Sequence, residues 1–466
     1  MIPERLRALV AETEDIAGRF AAAGWHLYLV GGVVRDAVVG RMDPDRDLDF
    51  TTDARPDDIE RIVSGWADAV WTQGKRFGTI GLDKGGRRME ITTHRAEAYH
   101  PDSRKPDVVF ADAVEADLSR RDFTVNSMAL SLPEVRLIDP FDGIGDLAAN
   151  RLRTPLPPEE SFTDDPLRML RAARFIAGYG LTPDRALVDA VTGLRTRLAI
   201  VSDERIRDEL DKLIVVDRPG KGLWFTVTTR LAEEFLPELP AMALEQDPLH
   251  RHKDVLAHTI AVVEKTPADD RLLRLAALFH DVGKPKTRSF GPGGAVSFHH
   301  HEMVGARMTR DRMRALRYPT ADVETVTRLV ELHLRFHTYE MGWTDSAVRR
   351  YVRDAGPLLD RLNKLTRSDC TTRNAAKARA LKLRMDELER RIAELEQQEE
   401  LAAIRPDLDG NEVMAELGLK PGPEVGRALD FLLEVRLEDG PLDKSEAAER
   451  LHSWWADQQE APSTRP

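Results

Sequence analysis

Cysteine is almost absent from this chain, with Cys370 the single one among 466 residues. One thiol excludes an internal disulfide and a cysteine-based zinc site, and it fits a reducing cytoplasm. Long apolar runs are missing too, since no stretch of about 18 apolar residues occurs, which argues against a membrane-spanning helix. The charged N-terminal stretch predicts an amphipathic helix rather than a signal peptide.

An excess of positive charge is also lacking, because 80 aspartates and glutamates outnumber 68 lysines and arginines and give a formal net charge of −12 at pH 7. This balance argues against a protein that coats nucleic acid non-specifically. A local basic face that binds one folded RNA remains compatible with it, since phosphate contacts depend on local arginines and lysines. The length predicts about three or four modules, and it leaves a monomer and a dimer equally open.

The most informative stretch is LVGGVVRDAVVGRMDPDRDLDF, which runs from Leu29 to Phe50. It predicts a strand, a Gly31-Gly32 turn, a short helix, a loop, and a second strand that carries Asp47 and Asp49. Carboxylates at i and i+2 of a strand face the same side, and they are the oxygen ligands that Mg²⁺ prefers beside substrate phosphates. Glycine lets backbone N–H groups approach phosphate oxygens. The stretch therefore predicts a site for divalent cations and a triphosphate.

GGVVRD followed by DLDF resembles the head of the DNA polymerase beta-like nucleotidyltransferases. In particular it is similar to the class II CCA-adding tRNA nucleotidyltransferases and to the bacterial poly(A) polymerases. The resemblance implies an α/β head, a mixed sheet with helices, followed by a mostly α-helical neck and C-terminal part. Asp47 and Asp49 would then hold Mg²⁺, and Gly32 and Arg35 would contact the triphosphate.

Two further stretches extend the resemblance through the head. MEITTHR lies on the second strand of a hairpin predicted at 77–93, and its Glu90 is expected as the third catalytic carboxylate; the alternative is an ion pair with Arg88 or Arg95. DLSRRDFTVNSMAL is expected to run from an acidic turn into an apolar helix. Its residues that match the family pattern, and that are expected to bind the nucleotide, are Arg120, Arg121 and Asn126.

The segment 96–108, AEAYHPDSRKPDV, is polar and contains two prolines, so it is predicted to be a flexible loop. A flexible loop at this place is associated in CCA-adding enzymes with the switch from C to A addition. Its presence would favour that function over poly(A) synthesis.

SFTDDPLRMLRAARF predicts a neck helix with Ser161 or Thr163 at its N-terminus. Cytosine and adenine both show an amino donor beside a ring-nitrogen acceptor, and a carboxylate next to a guanidinium matches both. Uracil and guanine would leave these groups unpaired, at about 1–3 kcal/mol each. Asp165 and Arg168 are the predicted base-reading pair, and Arg171 and Arg174 are expected toward phosphate or ribose. SDERIRDELDKL predicts a further neck helix after Ser202.

A second constellation follows the neck, in the order His, His-Asp, His, His, Asp. Imidazoles and carboxylates in this order resemble an HD domain, the metal-dependent phosphohydrolase fold, and suit a transition metal. The expected ligands are His258, His280, Asp281 and Asp369, with His301 and His333 as further ligands. The alternative is a scaffold that keeps these residues but only holds RNA.

The remaining residues predict a long amphipathic helix over 376–404, from leucines and isoleucine spaced by three and four. It is expected to pack on its own domain rather than to mediate dimerisation. Two short helices around Gly418-Leu-Lys-Pro-Gly-Pro follow and are expected to contact tRNA. The predicted modules are a head (1–150), a neck (151–215), an HD domain (216–375), a helical C-terminal region (376–455) and a disordered tail (456–466).

Taken together, the resemblance implies template-independent addition of C, C and A to the tRNA 3′ end from CTP and ATP, with Mg²⁺ and release of pyrophosphate. Three alternatives stay open: a poly(A) polymerase, an HD phosphohydrolase with a regulatory head, and a non-catalytic tRNA-binding protein. The HD domain and the low basic charge favour CCA addition over poly(A) synthesis. Whether the whole CCA or only part of it is added is left open by the sequence.

Overall fold

The computed structural model of the chain describes residues 4–41, 46–100, 103–244, 254–292, 296–338, 343–371, 374–399, 401 and 404–460. The chain divides into two compact units. The first comprises Met1–Ala241 with Ala315–Tyr318, and the second comprises Met242–Arg314 with Pro319–Pro466. The predicted fold class, an α/β head followed by mostly helical parts, is confirmed.

The first unit is built on a mixed seven-stranded sheet in the order β3-β4-β5-β2-β1-β8-β9. Its strands are β1 (Leu27–Val30), β2 (Leu48–Thr52), β3 (Ala69–Trp71), β4 (Thr79–Lys84), β5 (Arg87–Thr93), β8 (Ala129–Leu132) and β9 (Arg136–Ile138). All neighbours are antiparallel except β2 and β5, which run parallel. Two smaller pairs are the antiparallel β6 (Arg95–His100) with β7 (Ser103–Phe110), and the parallel β10 (Arg151–Leu152) with β11 (Thr182–Pro183).

Helices cover this sheet and continue as a helical segment. They are α1 (Glu4–Ala22), α2 (Gly32–Val39), α3 (Pro56–Val63), α4 (Val114–Ser119), α5 (Gly143–Ala148), α6 (Pro158–Asp164), α7 (Leu167–Tyr179), α8 (Arg185–Leu194), α9 (Asp203–Ile214), α10 (Gly220–Thr228), α11 (Ala232–Phe235) and α12 (Glu238–Ala241). Short 3-10 turns lie at Lys75–Phe77, Thr124–Asn126 and Arg195–Ile200. Phe20 of α1, Leu29 of β1, Phe50 of β2 and Ile91 of β5 are buried in one core, which holds the central strands in place.

The second unit is almost entirely helical. Its elements are α13 (Val255–Lys265), α14 (Arg271–Phe279), α15 (Lys284–Thr287), β12 (Ser289–Phe290), β13 (Val296–Ser297), α16 (His301–Ala315), α17 (Thr320–Leu332), α18 (Asp345–Ala355), α19 (Leu359–Asp369), α20 (Ala375–Gln398), α21 (Gly410–Leu417), α22 (Pro423–Asp439) and α23 (Lys444–Glu460). Helix α20 packs against α18 and α19, as expected for a helix that serves its own domain. A separate core in α21–α23 is centred on Val413, Leu432 and Leu451.

The prediction of a flexible loop at 96–108 is wrong, because the chain forms the antiparallel pair β6 and β7 there. Residues 101 and 102 lie outside the described part of the structure. The prediction gave weight to Pro101 and Pro106, yet proline is compatible with an edge strand, and VVF at 108–110 has high strand propensity. The loop therefore no longer argues for CCA addition over poly(A) synthesis.

The apolar helix predicted after Arg121 is also wrong. Helix α4 ends before Arg120, and the apolar residues form a 3-10 turn at Thr124–Asn126 and strand β8. All four residues of β8 are buried between β1 and β9. A strand buried on both faces has no apolar-polar alternation, so its sequence cannot be told from a buried helix by periodicity.

Two helix boundaries differ from the prediction as well. Ser161 and Thr163 lie inside α6 rather than at a helix start, because Pro158 begins that helix early and Pro166 separates it from α7. The disordered tail is predicted from residue 456, but helix α23 continues through Glu460. Trp454 of this helix stacks on Phe431 of α22, with 4.8 Å between the ring centres, which holds α23 in place. Residues 461–466 lie outside the described part.

Candidate active site and metal cluster

Two parallel strands bring the predicted carboxylates to the same part of the sheet. Asp49 of β2 pairs in register with Glu90 of β5, and Asp47 directly precedes β2. Leu48 between the two aspartates is buried, whereas Asp47 and Asp49 are exposed. The alternation of a strand therefore presents both aspartates to solvent beside Glu90. We call Asp47, Asp49 and Glu90 the carboxylate edge.

The glycine turn lies against this edge. Gly31 adopts φ +77°, which favours glycine, and a Cβ there would lie 3.6 Å from Asp49 Oδ2 and 3.5 Å from Arg121 Nη1. At Gly32 a Cβ would overlap the guanidinium of Arg46, 2.0 Å from Nη2. The Gly31-Gly32 turn thus lies close to one carboxylate, Asp49, and to two guanidinium groups, Arg121 at Gly31 and Arg46 at Gly32.

Asp49 lies among both carboxylates and guanidinium groups. Although its side chain reaches the surface, desolvation by the surrounding groups raises the pKa of Asp49; Arg121 opposes this rise, Glu90 adds to it, and Arg46 and Asp47 have smaller effects of opposite sign. A divalent cation would favour the ionised form of this carboxylate, and carboxylate oxygens suit Mg²⁺. Among the described residues, the carboxylate oxygens of Asp47, Asp49 and Glu90 do not all lie within 4.8 Å of one another. Two groups of histidines and aspartates in the second unit do meet that distance. The donor set fits a hard divalent cation that also binds substrate oxygens.

The alternative for Glu90, an ion pair with a neighbouring arginine, is not what the structure shows. Arg88 approaches Asp47 instead, at 4.0 Å, and its guanidinium lies 5.3 Å from the centre of the Trp71 ring. Arg95 donates to the carbonyl of Phe77. Glu90 therefore keeps its place beside Asp49.

Arg120 and Arg121 lie at the end of α4, not at a helix start as predicted. Both donate to the buried Asp117, Arg120 to Oδ1 at 3.0 Å and Arg121 to Oδ2 at 3.0 Å. Burial opposes ionisation of Asp117, but the two arginines outweigh it and hold the pKa of this carboxyl well below its usual range. Asp117 thereby fixes the position of Arg121 beside Gly31, which is a signal that the sequence analysis missed.

Arg35, which is predicted to contact the triphosphate, is only 3% exposed. Its guanidinium donates to Asp36 Oδ1 at 2.9 Å, to Asn126 Oδ1, and to the hydroxyl of Tyr179. It also lies 4.2 Å from the centre of the Tyr179 ring. Arg35 and Asn126 therefore act as a buried scaffold beneath the turn.

The neck residues predicted to read the base are not paired with each other. Arg168 is buried and donates to Ser161 Oγ at 2.8 Å and to the carbonyl of Arg120. Asp165 accepts instead from Arg205 of α9 at 3.0 Å. The structure connects Arg168 to the paired arginines of the head, and it gives Asp165 a partner that sequence spacing could not indicate.

Arg171 and Arg174, predicted to lie toward phosphate or ribose, each have a carboxylate partner in the structure. Arg171 donates through Nε to the buried Asp122 at 2.8 Å, and Arg174 forms an ion pair with the buried Glu209 of α9. Burial opposes ionisation of Asp122, yet Arg171 and Asn126 keep its pKa far below normal. Arg171 thus links α7 to the head, and Arg174 links α7 to α9 within the neck, because a buried carboxylate needs such a partner.

Asp36, Arg46 and Tyr179 complete the group that the sequence analysis missed. Asp36 is buried and accepts from Arg35, from Arg46 and from the Tyr179 hydroxyl, the last at 2.9 Å. Asp36 belongs to the GGVVRD motif and could have been singled out there. Nothing in the spacing of the sequence indicated Arg46 or Tyr179, because their partner comes from a distant segment.

The second unit gathers the predicted HD residues in two adjoining clusters. One contains His258, His280 and Asp369, and the other contains Asp281, His301 and His333, with the ligand atoms of each lying within 4.8 Å. His258 Nε2 lies 2.9 Å from Asp369 Oδ1, and His301 Nε2 lies 3.3 Å from His333 Nε2. All six predicted residues are therefore brought together.

Asp281 joins the two clusters. Its Oδ2 lies 3.3 Å from His280 Nε2, and its Oδ1 lies 3.4 Å from His301 Nε2. The other ring nitrogen of each of three histidines faces a backbone carbonyl three residues earlier: His280 to Ala277, His301 to Phe298 and His333 to Val330. Such contacts fix ring orientation in metal sites, so this donor set fits a pair of metal ions bridged by one carboxylate.

The titration of the cluster supports the same interpretation. Burial lowers the pKa of His333 to about 3, with His280 adding to the effect, so that His333 is a neutral ligand near neutral pH. Burial also acts against the charged form of His280, but Asp281 and Asp369 outweigh it and raise the pKa of His280 to about 9. The carboxylates of the cluster thus attract positive charge strongly.

Three family models match the chain. The poly A polymerase head domain matches residues 27–153, the model for the probable RNA and SrmB-binding site of polymerase A matches 180–242, and the HD domain matches 253–394. Between them they include the carboxylate edge and all six HD residues. Within the described ranges, no helix has the length and apolarity needed to cross a membrane.

Similar proteins include the A-adding tRNA nucleotidyltransferase of Deinococcus radiodurans, 34% identical over 92% of this chain and 95% of the relative. The CC-adding tRNA nucleotidyltransferase of Thermus thermophilus is 31% identical over 91% and 93%. The CCA-adding enzyme of Streptococcus thermophilus is 30% identical over 92% and 93%. The solved CCA-adding enzyme of Bacillus stearothermophilus in complex with CTP shares the fold, with a TM-score of 0.71 at 21% identity over 98% and 100% of the chains. Because relatives of at least 30% identity match almost from end to end, the chain belongs to the tRNA nucleotidyltransferase family, a family of nucleotidyl-transferring enzymes.

Proposed function

We propose that this protein adds C, C and A to the 3′ end of tRNA, using CTP and ATP and releasing pyrophosphate. The observation that carries the proposal is the carboxylate edge next to the Gly31-Gly32 turn and Arg121. The family membership supports nucleotidyl transfer, and relatives named for CCA, CC and A addition support tRNA as the acceptor.

Asp47 and Asp49, with Glu90, are the residues that would hold Mg²⁺. When bound, the metal supplies Lewis-acid activation of the attacking 3′-hydroxyl and neutralises the charge of the leaving pyrophosphate. No nucleophilic side chain is required, because the tRNA hydroxyl attacks in line. The chain's own task is to position the two substrates.

Arg121 and the backbone N–H groups of the Gly31-Gly32 turn would bind the triphosphate. Gly31 brings the backbone within reach because a side chain there would occupy the space between Asp49 and Arg121. Asp117 keeps Arg121 aimed at this space, and the buried Arg35 and Asn126 support the turn from below. Arg120 adds positive charge at the same helix end.

Asp165 and Arg168 remain our proposed base-reading pair, although in the structure each has another partner. A carboxylate with a guanidinium matches cytosine and adenine and rejects uracil and guanine. To read a base, Asp165 must exchange Arg205 for the base amino group, and Arg168 must exchange the Arg120 carbonyl for the ring nitrogen.

The two clusters joined by Asp281 would hold transition-metal ions, and metal-dependent phosphoester hydrolysis is the second activity that we propose. Backbone carbonyls already hold the rings of His280, His301 and His333 in orientation, which favours a catalytically active site over a scaffold that only holds RNA. We place the module boundaries near 150, 215 and 375.

A specific observation favours a second candidate function: the Deinococcus radiodurans relative, matched over 95% of its length, is named an A-adding enzyme. The chain would then add only the last nucleotide. A gel assay with three tRNA transcripts separates the candidates: one lacks CCA, one lacks CA and one lacks the final A. Each transcript receives Mg²⁺ and either a single nucleotide (CTP, ATP, UTP or GTP) or a mixture of the four.

Our proposal predicts growth of each transcript to a complete CCA end, followed by arrest, without use of UTP or GTP. Extension of only the transcript that lacks the final A would establish the A-adding function. Long A tails on any RNA would indicate a poly(A) polymerase. Absence of incorporation together with phosphoester cleavage would make the HD cluster the main activity.

A further inference from the structure

A row of arginines lies on the exposed side of helix α16. Arg307, Arg310 and Arg314 are exposed, and their spacing of three and four residues places them on one helix face. Met303, 44% exposed, continues the row by a further turn toward the start of the helix. We call Arg307, Arg310 and Arg314 the arginine row.

The local charge contrasts with that of the whole chain. Residues 303–321 contain five arginines and one carboxylate, Asp311, whereas the chain has a net charge of −12. Asp311 lies beside the row, but within the described ranges none of the three arginines forms an ion pair with it or with another carboxylate. Some cations elsewhere in the same unit are paired with carboxylates, such as Arg328 with Glu331 and Arg367 with Glu389.

The row faces away from the metal cluster. His301 of the same helix is buried, as are Gly305, Thr309 and Met313, and these residues form the inner side of α16. The arginines can therefore change without loss of any ligand. The positive charge of the three arginines also adds little to the stability of the unit, because exposed cations without an ion-pair partner contribute little to stability.

We propose that the arginine row binds the phosphate backbone of RNA. The inference rests on the proposed function, in which tRNA is the substrate, and it adds a contact for the RNA body. Seven residues of helix separate Arg307 from Arg314, which is about 10 Å at a rise of ~1.5 Å per residue. A nucleic-acid strand carries roughly one charge per ~3.4 Å of helix axis, so the row spans about three phosphates.

Arginine suits this partner better than it suits an isolated anion. Its planar guanidinium forms paired hydrogen bonds with phosphate oxygens, and three of them in a line follow a repeating polyanion. Contacts of this kind position the RNA without reading its sequence. The row therefore predicts a contribution to affinity and none to nucleotide choice.

The test uses the full-length chain with Arg307→Gln, Arg310→Gln and Arg314→Gln combined. Glutamine is shorter and uncharged, but it keeps a polar side chain and a good helix propensity. A matched control, Arg328→Gln with Lys364→Gln and Arg390→Gln, removes the same charge from the same unit at cations that are already paired with carboxylates. The affinity for a tRNA transcript that lacks CCA is measured between 50 and 300 mM KCl.

We expect the row variant to bind tRNA at least about tenfold more weakly near 0.1 M salt, and its plot of log affinity against log salt to be less steep by about 2–3 units. The control should stay within about twofold of the wild type. At saturating tRNA, kcat and the KM for CTP should be unchanged in both.

A row variant with wild-type affinity and salt slope, or with a lowered kcat at saturating tRNA, would overturn the inference. So would unchanged tRNA binding with a loss of binding to anionic phospholipid vesicles, because the surface would then serve a membrane. Incorporation by the wild type, measured in parallel, distinguishes this failure from failure of the proposed function. If the triple variant does not fold by circular dichroism, Arg310→Gln alone should reduce the slope by about 1 unit, and an unchanged slope would again refute the inference.

Discussion

Gly283 offers a sharp test of how the metal cluster is built. It lies two residues after Asp281, and a Cβ at this position would lie 2.1 Å from the carbonyl oxygen of His301 and 2.7 Å from the amide nitrogen of Gly305. Both atoms belong to the backbone of α16, the helix that carries His301. Gly283→Ala must therefore push α16 away, since backbone atoms cannot rotate aside as a side chain can.

The expected cost is about 3 kcal/mol, the upper part of the range for overpacking a close contact. For a unit of this size that loss corresponds to a decrease of roughly 6–12 °C in the melting temperature. The displacement also separates His301 from Asp281, whose atoms lie 3.4 Å apart. Metal content after dialysis should fall accordingly, because a site that is loose by about 1 Å binds poorly.

Gly426→Ala is the matched control in the same unit. It lies within α22, and a Cβ there meets nothing within 4 Å, so alanine should be neutral or stabilising by up to about 1 kcal/mol. Thermal unfolding and elemental analysis of both variants decide the matter. A Gly283→Ala protein that melts and binds metal like the wild type would refute the close-approach argument.

Three further predictions concern the first unit. Asp122→Asn should cost about 3 kcal/mol in urea unfolding, because it removes a buried partner of Arg171, and the double variant with Arg171→Gln should cost less than the sum of the single changes; additivity would contradict the pairing. Tyr179→Phe should cost about 1 kcal/mol through loss of its hydrogen bond to Asp36, and an unchanged urea midpoint would refute that bond's contribution. The lowered pKa of Asp117 stabilises the folded state above the unfolded pKa of ~3.9, and this contribution is lost as the pH falls toward the folded value. Asp117→Asn should therefore be less stable than the wild type at pH 7, with the difference shrinking in acid; a gap that is independent of pH would contradict this sign.

Local signals were sufficient for the central part of the head. The Gly31-Gly32 turn has the glycine conformation that the sequence indicated, and strand alternation places Asp47 and Asp49 on the same exposed side. The ordered histidines and aspartates of the HD domain were also predicted, and all six meet. These predictions depend on short segments whose geometry neighbouring residues determine.

Partners from distant segments were beyond the sequence analysis. Arg171 and Arg174 follow the predicted spacing on α7, yet Asp122 and Glu209 bind them. A guanidinium is attracted to whichever carboxylate the fold brings close, and a single sequence does not show that distance. The same reason explains Arg35, whose burial beneath the turn could not be inferred from its place in the motif.

Hydrophobic periodicity did not predict strand β8, because this strand is buried on both faces. Strand β7 was missed for another reason, since its proline was taken to exclude a strand. In both places sheet pairing, a non-local interaction, decided the structure. Asp281 of the second unit also shows how distant contacts decide a site. The sequence grouped it with His258, His280 and Asp369, but only one of its oxygens faces His280 and the other faces His301.

The most direct test of the proposed function is the rate of the first nucleotide transfer to a tRNA that lacks CCA, compared between the wild type and Asp49→Asn. We expect a loss of at least about a thousandfold, since a proposed ligand of the catalytic metal is removed, while tRNA affinity stays within about twofold. Incorporation by Asp49→Asn at the wild-type rate would show that the carboxylate edge is not the site of transfer and would contradict the central claim.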